Sequence, residues 1–407
     1  MVIMIHPVAI DNESHAVNIM RSLGVSPQGA KIMSSKSVYS AFKIDGIRSW
    51  EANIIKQHML SLGADAAIER SALMRNKKTA ALIFGTHHQL RQLCQKLKNQ
   101  PFSLKEVAAG LSLYLEGMYK QKFEFHARNK ILKISKPLVC GIINITDDSF
   151  SQDGLLRLSQ LSAATLKEAA LKKAETMIGQ GAAMLDIGGE SSRPFSRPIS
   201  AAQEIKRVTP VIRALRKEFK AIVLSLDTYK YPVARAACDE GIDVINDISA
   251  LRANPEMAAL IKRCELGCVL MHMKGTPRNM QRNPHYKDVI SEVSLFFRER
   301  LSYCDKTGIT REQICLDPGI GFGKRLEDNT RLLNELYAFK AFGLPLFVGL
   351  SRKSFIGTIL KKDVGGRLNG SVAASVVSVM KGANILRAHD VRETIEALSI
   401  ASAITCN

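Results

Sequence analysis

From about residue 138 to the end of the chain, short apolar runs recur, each followed by a longer stretch with helical periodicity. The runs are "PLVCGIINI", "AAMLDIGG", "AIVLSLD", "DVINDI", "GCVLMH", "ICLDPG", "LPLFVGL" and "NILRAHD". Between them lie segments such as "LKEAALKKAETMIGQG", with Gly181 as a helix C-cap, and "YPVARAACDEG". Runs that are apolar on both faces belong to a parallel sheet covered from outside, and eight of them alternating with helices predict a (β/α)8 barrel. Polar residues collect at the C-terminal ends of these runs: Asn144, Asp186, Asp227, Asn246 with Asp247, His272, Asp317, Ser351, and Arg387 with His389. Asp or Asn at one strand end is ordinary turn chemistry. Eight such ends converge on one rim of a barrel, where active sites sit.

The first 120 residues have a different pattern. "SWEANIIKQHMLSLG", "THHQLRQLCQKLKNQ" and "SLKEVAAGLSLYLEG" read as helices and "KTAALIFG" as a strand, which together predict a small α/β domain. Ser103 and Glu106 have the spacing of a capping box. His87 and His88 are adjacent, so they face different sides of a helix and form no metal pair. Residues 120–134, "KQKFEFHARNKILKI", alternate like a hairpin with Arg128 and Asn129 at its turn. The expected division is a domain over 1–120 and a barrel over 121–407, with the hairpin as a lid on the barrel's closed end. There is no internal repeat and no low-complexity linker.

Composition narrows the picture. A chain of 407 residues, 46% hydrophobic and 23% charged, buries a large core and is long for one domain. The N-terminal residues have no basic region ahead of an apolar stretch, and no run is long enough to span a bilayer, so a soluble cytoplasmic protein is expected. Eight scattered cysteines in a chain of this size predict free thiols. Cys264 and Cys268 could share a helix face, but without a second pair they read as separate core residues. The net charge of +19 favours anionic partners. It is spread between residues 1–120 (+7) and the remainder (+12), with no basic arm, so a phosphorylated metabolite fits better than nucleic acid.

Motif spacing excludes two familiar phosphate sites. In "ICLDPGIGFGKR" a P-loop would need glycine where Pro318 stands and Ser or Thr where Arg325 stands. A dinucleotide turn would need glycine at Lys324. A carboxylate and amides at an apolar mouth can instead read the edge of a flat heterocycle that carries ring N–H and amino groups, a role suited to Asp227, Asn246 and Asp317. Lys353 could donate from another side. Arg387 and His389 beside Asn144 supply an anion site with room for magnesium.

These segments resemble the dihydropteroate synthase family. "GIINITDDSFSQDG", "DIGGESSRP", "LSLDT", "VINDISAL", "VLMHMKGTP", "LDPGIGFGK", "VGLSRKSFIG" and "LRAHDV" occur in the family's order from about residue 122 onward. The resemblance implies a pterin-binding (β/α)8 barrel enzyme of folate biosynthesis, a sulfonamide target, that joins a pterin diphosphate to para-aminobenzoate. It implies that Asp227, Asn246, Asp317 and Lys353 bind the pterin, and that Arg387 and His389 hold the diphosphate, with Asn144 acting through Mg2+. Ser192, Arg193, Phe322 and Ser354 would shape the aminobenzoate pocket. A homodimer formed through barrel helices is expected. The first loop departs from the family's pattern, because Asp147 stands where a proline is usual and Gln152 and Asp153 shift the next acidic position. A pterin-binding methyltransferase serving a corrinoid protein is the rival enzyme, and would not need the set at 387 and 389 or the "SRKS" segment. A non-catalytic basic binding protein would lack the rim residues.

Overall fold

The computed structural model describes residues 3–70, 77–145, 163–191 and 196–405. They fall into two compact units, Met1–Lys120 with Ala341–Gly343, and Gln121–Lys340 with Leu344–Asn407. Among the described residues all the cysteines are free thiols; Cys268 is buried in a strand, and Cys264 closes a helix with its side chain half-buried. No described helix is long and apolar enough to cross a membrane.

In the first unit the sheet is antiparallel, with strands β1 (Tyr39–Arg48), β2 (Asp65–Ile68) and β3 (Lys78–Thr86) in the order β1-β3-β2. One face is covered by helices, and Ile55, Met59, Ile83, Leu90, Leu93 and Leu97 are fully buried between them. The helices expected from periodicity form at Ser49–Ser61, His87–Lys98 and Leu104–Gly117. The helices Glu13–Ser22 and Pro27–Ser37 and the half-exposed strand β1 carry weaker patterns and were not expected. The expected capping box at Ser103 and Glu106 does not form. The Ser103 N–H and hydroxyl both donate to Glu51, at 3.0 and 2.7 Å, and Glu51 also accepts from the Arg48 N–H. A buried carboxylate that needs donors outweighs a local cap. His87 is fully buried and satisfied by Glu13, Ser40 and Tyr119.

The second unit begins with the predicted hairpin, β4 (Phe123–Ala127) and β5 (Lys130–Ile134). The barrel strands follow: β6 (Leu138–Asn144), β7 (Met184–Gly188), β8 (Val223–Asp227), β9 (Val244–Asp247), β10 (Gly267–Met271), β11 (Ile314–Asp317), β12 (Phe347–Gly349) and β13 (Ile385–Ala388). All pair in parallel in the order β11-β10-β9-β8-β7-β6-β13-β12. A parallel bridge between Leu316 and Leu346 brings β11 to the segment leading into β12 and completes the ring. This is the predicted (β/α)8 barrel.

The hairpin packs on the N-terminal ends of the strands. Phe123, Phe125, Ala127 and Ile134 form one buried cluster with Cys140, Met184, Val223, Val244, Val269, Cys315, Phe347 and Ile385. The last eight are one from each strand and form the bottom layer of the barrel interior. Side chains alternate along a strand, so the next inward layer lies two residues on. It consists of Ile142, Asp186, Ser225, Asn246, Met271, Asp317, Gly349 and Arg387. The change from apolar to polar across these two layers sets the site at the open end.

Candidate active site

The second interior layer, with Asp227 two residues above Ser225 on β8, holds an ion network that spans strands distant in the sheet. Arg387 on β13 donates from Nε to Asp186 Oδ2 on β7 at 2.5 Å and from Nη2 to Asp227 Oδ2 on β8 at 3.0 Å. Two strands of the ring separate β13 from β8, so the guanidinium crosses the barrel interior. Asn246 donates from Nδ2 to the same Asp186 oxygen at 3.1 Å. Asp186 Oδ1 and Asn246 Oδ1 are buried without partners among the described residues. Such an orphaned acceptor costs free energy until a donor arrives.

Burial raises the Asp227 carboxyl to about 7, with Arg387 working against the rise and Asp186 adding to it. Asp317, at the end of β11, is also pushed above the carboxylate range by burial, opposed by Lys353 and by the Gly319 N–H that reaches its Oδ1 at 2.7 Å. Lys353 follows β12. Burial lowers its ammonium to about 8, and it donates to the Ile320 carbonyl while lying 4.6 Å from the centre of the Phe322 ring. Ile248, Met271, Met273 and Met280 form an apolar cluster at this mouth, with Tyr229 and Phe322 packed against it. Apolar walls with acceptors at the edge make a slot for a flat ring that carries N–H groups. A cavity of about 170 Å³ opens beside it, lined by Glu190, Asp227, Tyr229, Ile248, Thr276 and Arg278 among others.

The glycine-rich turn after β11 is shaped by close backbone approach. A Cβ on Gly319 would lie 1.9 Å from the His272 carbonyl oxygen, and one on Gly323 would lie 2.2 Å from that of Lys274. Both glycines have positive φ, +65° and +63°. Lys324 then folds under the turn. Its Nζ is buried and donates to the carbonyls of Gly319 and Phe322 at 2.9 and 3.1 Å, and it lies 2.9 Å from His272 Nδ1. Burial brings its ammonium down to about 7 and holds the neighbouring imidazole well below its ordinary value. This lysine therefore supports the turn that carries Phe322 and is no phosphate ligand.

Of the predicted residues, Asp227, Asn246, Asp317, Lys353 and Arg387 meet around the slot. His389 stands beyond it, with its N–H and Nδ1 on Ser351 Oγ at 3.2 and 3.0 Å. Asn144 ends β6, where its Oδ1 would lie 3.2 Å from a Cβ on Gly188. Phe322 is half-buried and Ser354 is exposed at the start of the helix Ser354–Leu360. Ser192 and Arg193, and the first-loop residues Asp147, Gln152 and Asp153, lie outside the described residues. Sequence reasoning named Asp186 as a strand end and gave it no role, although a lone carboxylate inside an apolar run on the inward parity was a usable signal. It had no signal for Lys324 or for the pairing of Arg352 with Asp390.

Comparison with known proteins bears on this geometry. The family described as pterin binding enzyme matches residues 140–389. The dihydropteroate synthase of Escherichia coli (strain K12) is 43% identical over 279 residues, 68% of this chain and 95% of that relative. The solved structure of Xanthomonas albilineans dihydropteroate synthase with 4-aminobenzoic acid superposes with a TM-score of 0.64 at 38% identity, over 70% of this chain and 99% of that one. A probable bifunctional folylpolyglutamate synthase/dihydropteroate synthase of Halobacterium salinarum is 33% identical over 402 residues, 97% of this chain and 46% of that relative, so its similarity reaches into the first unit.

Proposed function

The chain belongs to the pterin binding enzyme family, among its dihydropteroate synthases, and on that premise we propose how its own residues carry the reaction. The enzyme condenses 6-hydroxymethyl-7,8-dihydropterin diphosphate with para-aminobenzoate to give 7,8-dihydropteroate and diphosphate. The observation that carries the reading is the interior network in which Arg387 joins Asp186 and Asp227 while Asn246 Oδ1 has no partner among the described residues.

In this proposal the pterin ring enters the slot and donates its N–H and amino groups to Asp227, Asn246 and Asp317. Lys353 donates to an acceptor on the ring's other edge, and the methionine cluster with Ile248 packs on its faces. Arg387 and His389 hold the diphosphate. The donor set suits magnesium in its usual form of one or two protein oxygens plus substrate phosphates, since Asn144 offers an amide oxygen and no cluster of carboxylates competes among the described residues. Bound there, Mg2+ would neutralise charge on the leaving group. The bond from the methylene carbon to the diphosphate oxygen breaks with its electron pair on the oxygen, and the aniline nitrogen bonds to the methylene and gives up a proton. No protein nucleophile is needed, because charge stabilisation of the leaving group supplies the main effect. In this proposal Phe322 and Ser354 border the aminobenzoate, and Ser192 and Arg193 are assigned to the same pocket on the family resemblance.

The functional unit is a homodimer in this reading. The helix Leu368–Met380 has inverted polarity: Ser371, Ser375 and Ser378 are buried, while Val377 is 47% and Met380 63% exposed. On the helix Val391–Thr405, Ile400 and Ile404 are 65% and 71% exposed. An apolar outer face of this kind fits a second copy. The cytoplasm is the proposed location. The decisive assay is diphosphate release from the pterin substrate with and without para-aminobenzoate. The proposal requires release and pteroate formation that depend on the aminobenzoate; methyl transfer to a corrinoid protein would replace it.

A further inference from the structure

Outside the ion network of the barrel interior, the described rim carries a further, partly buried charge pair to which the reaction gives no part. Arg352 and Asp390 pair through two guanidinium nitrogens and both carboxylate oxygens, Nε to Oδ2 at 3.1 Å and Nη2 to Oδ1 at 2.5 Å, and their side chains are 22% and 14% exposed. A planar fork on a carboxylate fixes direction as well as distance. Arg352 directly precedes Lys353, and Asp390 directly follows His389. The pair therefore links the loop after β12 to the turn after β13 at the two positions adjoining these residues.

The backbone of Arg352 is held from every side. Its φ is +59°, which a residue other than glycine keeps only where its surroundings impose it. Its N–H donates to Ser371 Oγ at 2.9 Å, and its carbonyl accepts from Arg367 Nη1 at 3.0 Å. The next peptide starts the helix Ser354–Leu360. A second link runs parallel to the first, from Ser351 Oγ to the His389 N–H and ring. Asp390 also faces Lys173 from the helix Ala163–Gly179, whose ammonium is lowered first by burial and then by Arg352. Removing the carboxylate would leave these two cations facing each other.

We propose that the Arg352–Asp390 pair is a positioning device that sets the register between Lys353 and His389, so that the two ends of one pterin diphosphate molecule are gripped at once. This rests on the dihydropteroate synthase reading for the identity of the two ends. Its particular consequence is that the pair contributes to binding of the linked substrate and little to binding of either fragment. Two fragments held in correct register gain from their covalent link, and that gain is lost when the sites shift relative to one another.

The test is calorimetric titration of the full chain with 6-hydroxymethylpterin, with diphosphate plus magnesium, and with the pterin diphosphate. Asp390→Asn and Arg352→Met should each weaken the linked substrate by about tenfold while changing affinity for either fragment by less than about threefold. The exchange of partners, Arg352→Asp with Asp390→Arg, should recover most of the loss, because aspartate tolerates positive φ at 352. Arg213→Ala breaks a comparable fork to Glu240 on the barrel's outside, with contacts of 2.7 and 2.5 Å, and should change none of the three affinities. If Arg352→Met does not fold, Arg352→Lys keeps the charge without the fork and should show a smaller selective loss. Equal weakening of fragments and linked substrate, no weakening at all, or failure of the exchanged pair to recover would each overturn the proposal. A failure of the enzymatic reading would show separately, as absence of diphosphate release by the unsubstituted protein.

Discussion

The two ends of this barrel hold the same kinds of side chain under opposite conditions. At the closed end, one oxygen of Asp243 accepts from Lys130 at 2.9 Å, from the Leu224 N–H at 2.8 Å and from Arg216. Arg216 also donates to the carbonyls of Lys220 and Ile222, and Arg128 to those of Cys238 and Ile242. At the open end, Asp186 and Asn246 keep oxygens without partners among the described residues, and Asp227 and Asp317 hold their protons more tightly than an ordinary carboxyl. A buried polar group whose partners are all supplied by the protein contributes to the fold, whereas one left short is stabilised by whatever donor enters the site.

The largest effect that could break this contrast is at the closed end. Asp243→Ala should cost about 3 kcal/mol of stability, because Lys130 and Arg216 lose their common anion in a largely buried place. Chemical denaturation would measure it, and the pterin affinity of the folded fraction should not change. An intact midpoint, or a selective loss of pterin, would erase the distinction between the ends. Asp317→Asn should do the reverse. It should weaken pterin binding by about 2 kcal/mol with little loss of stability, since an amide places an NH2 against a ring donor. Titration calorimetry on the folded variant decides it.

The raised Asp227 pKa sharpens the comparison through pH. Folding raises this pKa from its ordinary value to about 7, so the group's contribution to stability is complete below the unfolded value, near 4, and is lost as pH rises through about 7. A pterin that donates to the carboxylate needs the ionised form. Affinity for a pterin without phosphate should therefore rise by up to about tenfold per pH unit below 7 and level off above it, with proton release on binding. Calorimetry in buffers of different ionisation enthalpy would reveal the proton. Asp227→Asn should abolish the slope, and a slope that persists would assign it to another group.

The smallest expected effect concerns the first unit. Every residue proposed for the site lies at or beyond Asn144, and the cluster around Ile55, Met59 and Leu93 is made entirely of residues from the first unit. A chain beginning at Gln121 should turn over within about threefold of the full protein. Folded, soluble and inactive protein would mean that the first unit completes the site or maintains the active oligomer.

Much of the barrel was legible in one dimension because its strands are buried on both faces. A run such as "AIVLSLD" has no other compact use, and its period places polar residues at known heights. The hairpin was legible for the same reason, since alternation over residues 123–134 leaves a single apolar face. Strand β1 was not, because an edge strand with half-exposed residues carries little pattern. Nor was the fate of Ser103, whose spacing promised a cap until a buried carboxylate 52 residues earlier claimed its donors.

The sequence by itself determined the number and chain order of the barrel strands, the residue types at the rim and the family they resemble, because these follow from local period and motif. Only the tertiary structure decided the partners: that Arg387 reaches across the interior to Asp186 and Asp227, that Lys324 supports a turn instead of facing substrate, and that Arg352 is tied to Asp390. Those pairings join residues up to 201 positions apart. Local patterning says which groups are buried, but which buried charge meets which is settled by the closure of the sheet, and in a low-dielectric interior that meeting sets both their pKa values and their roles.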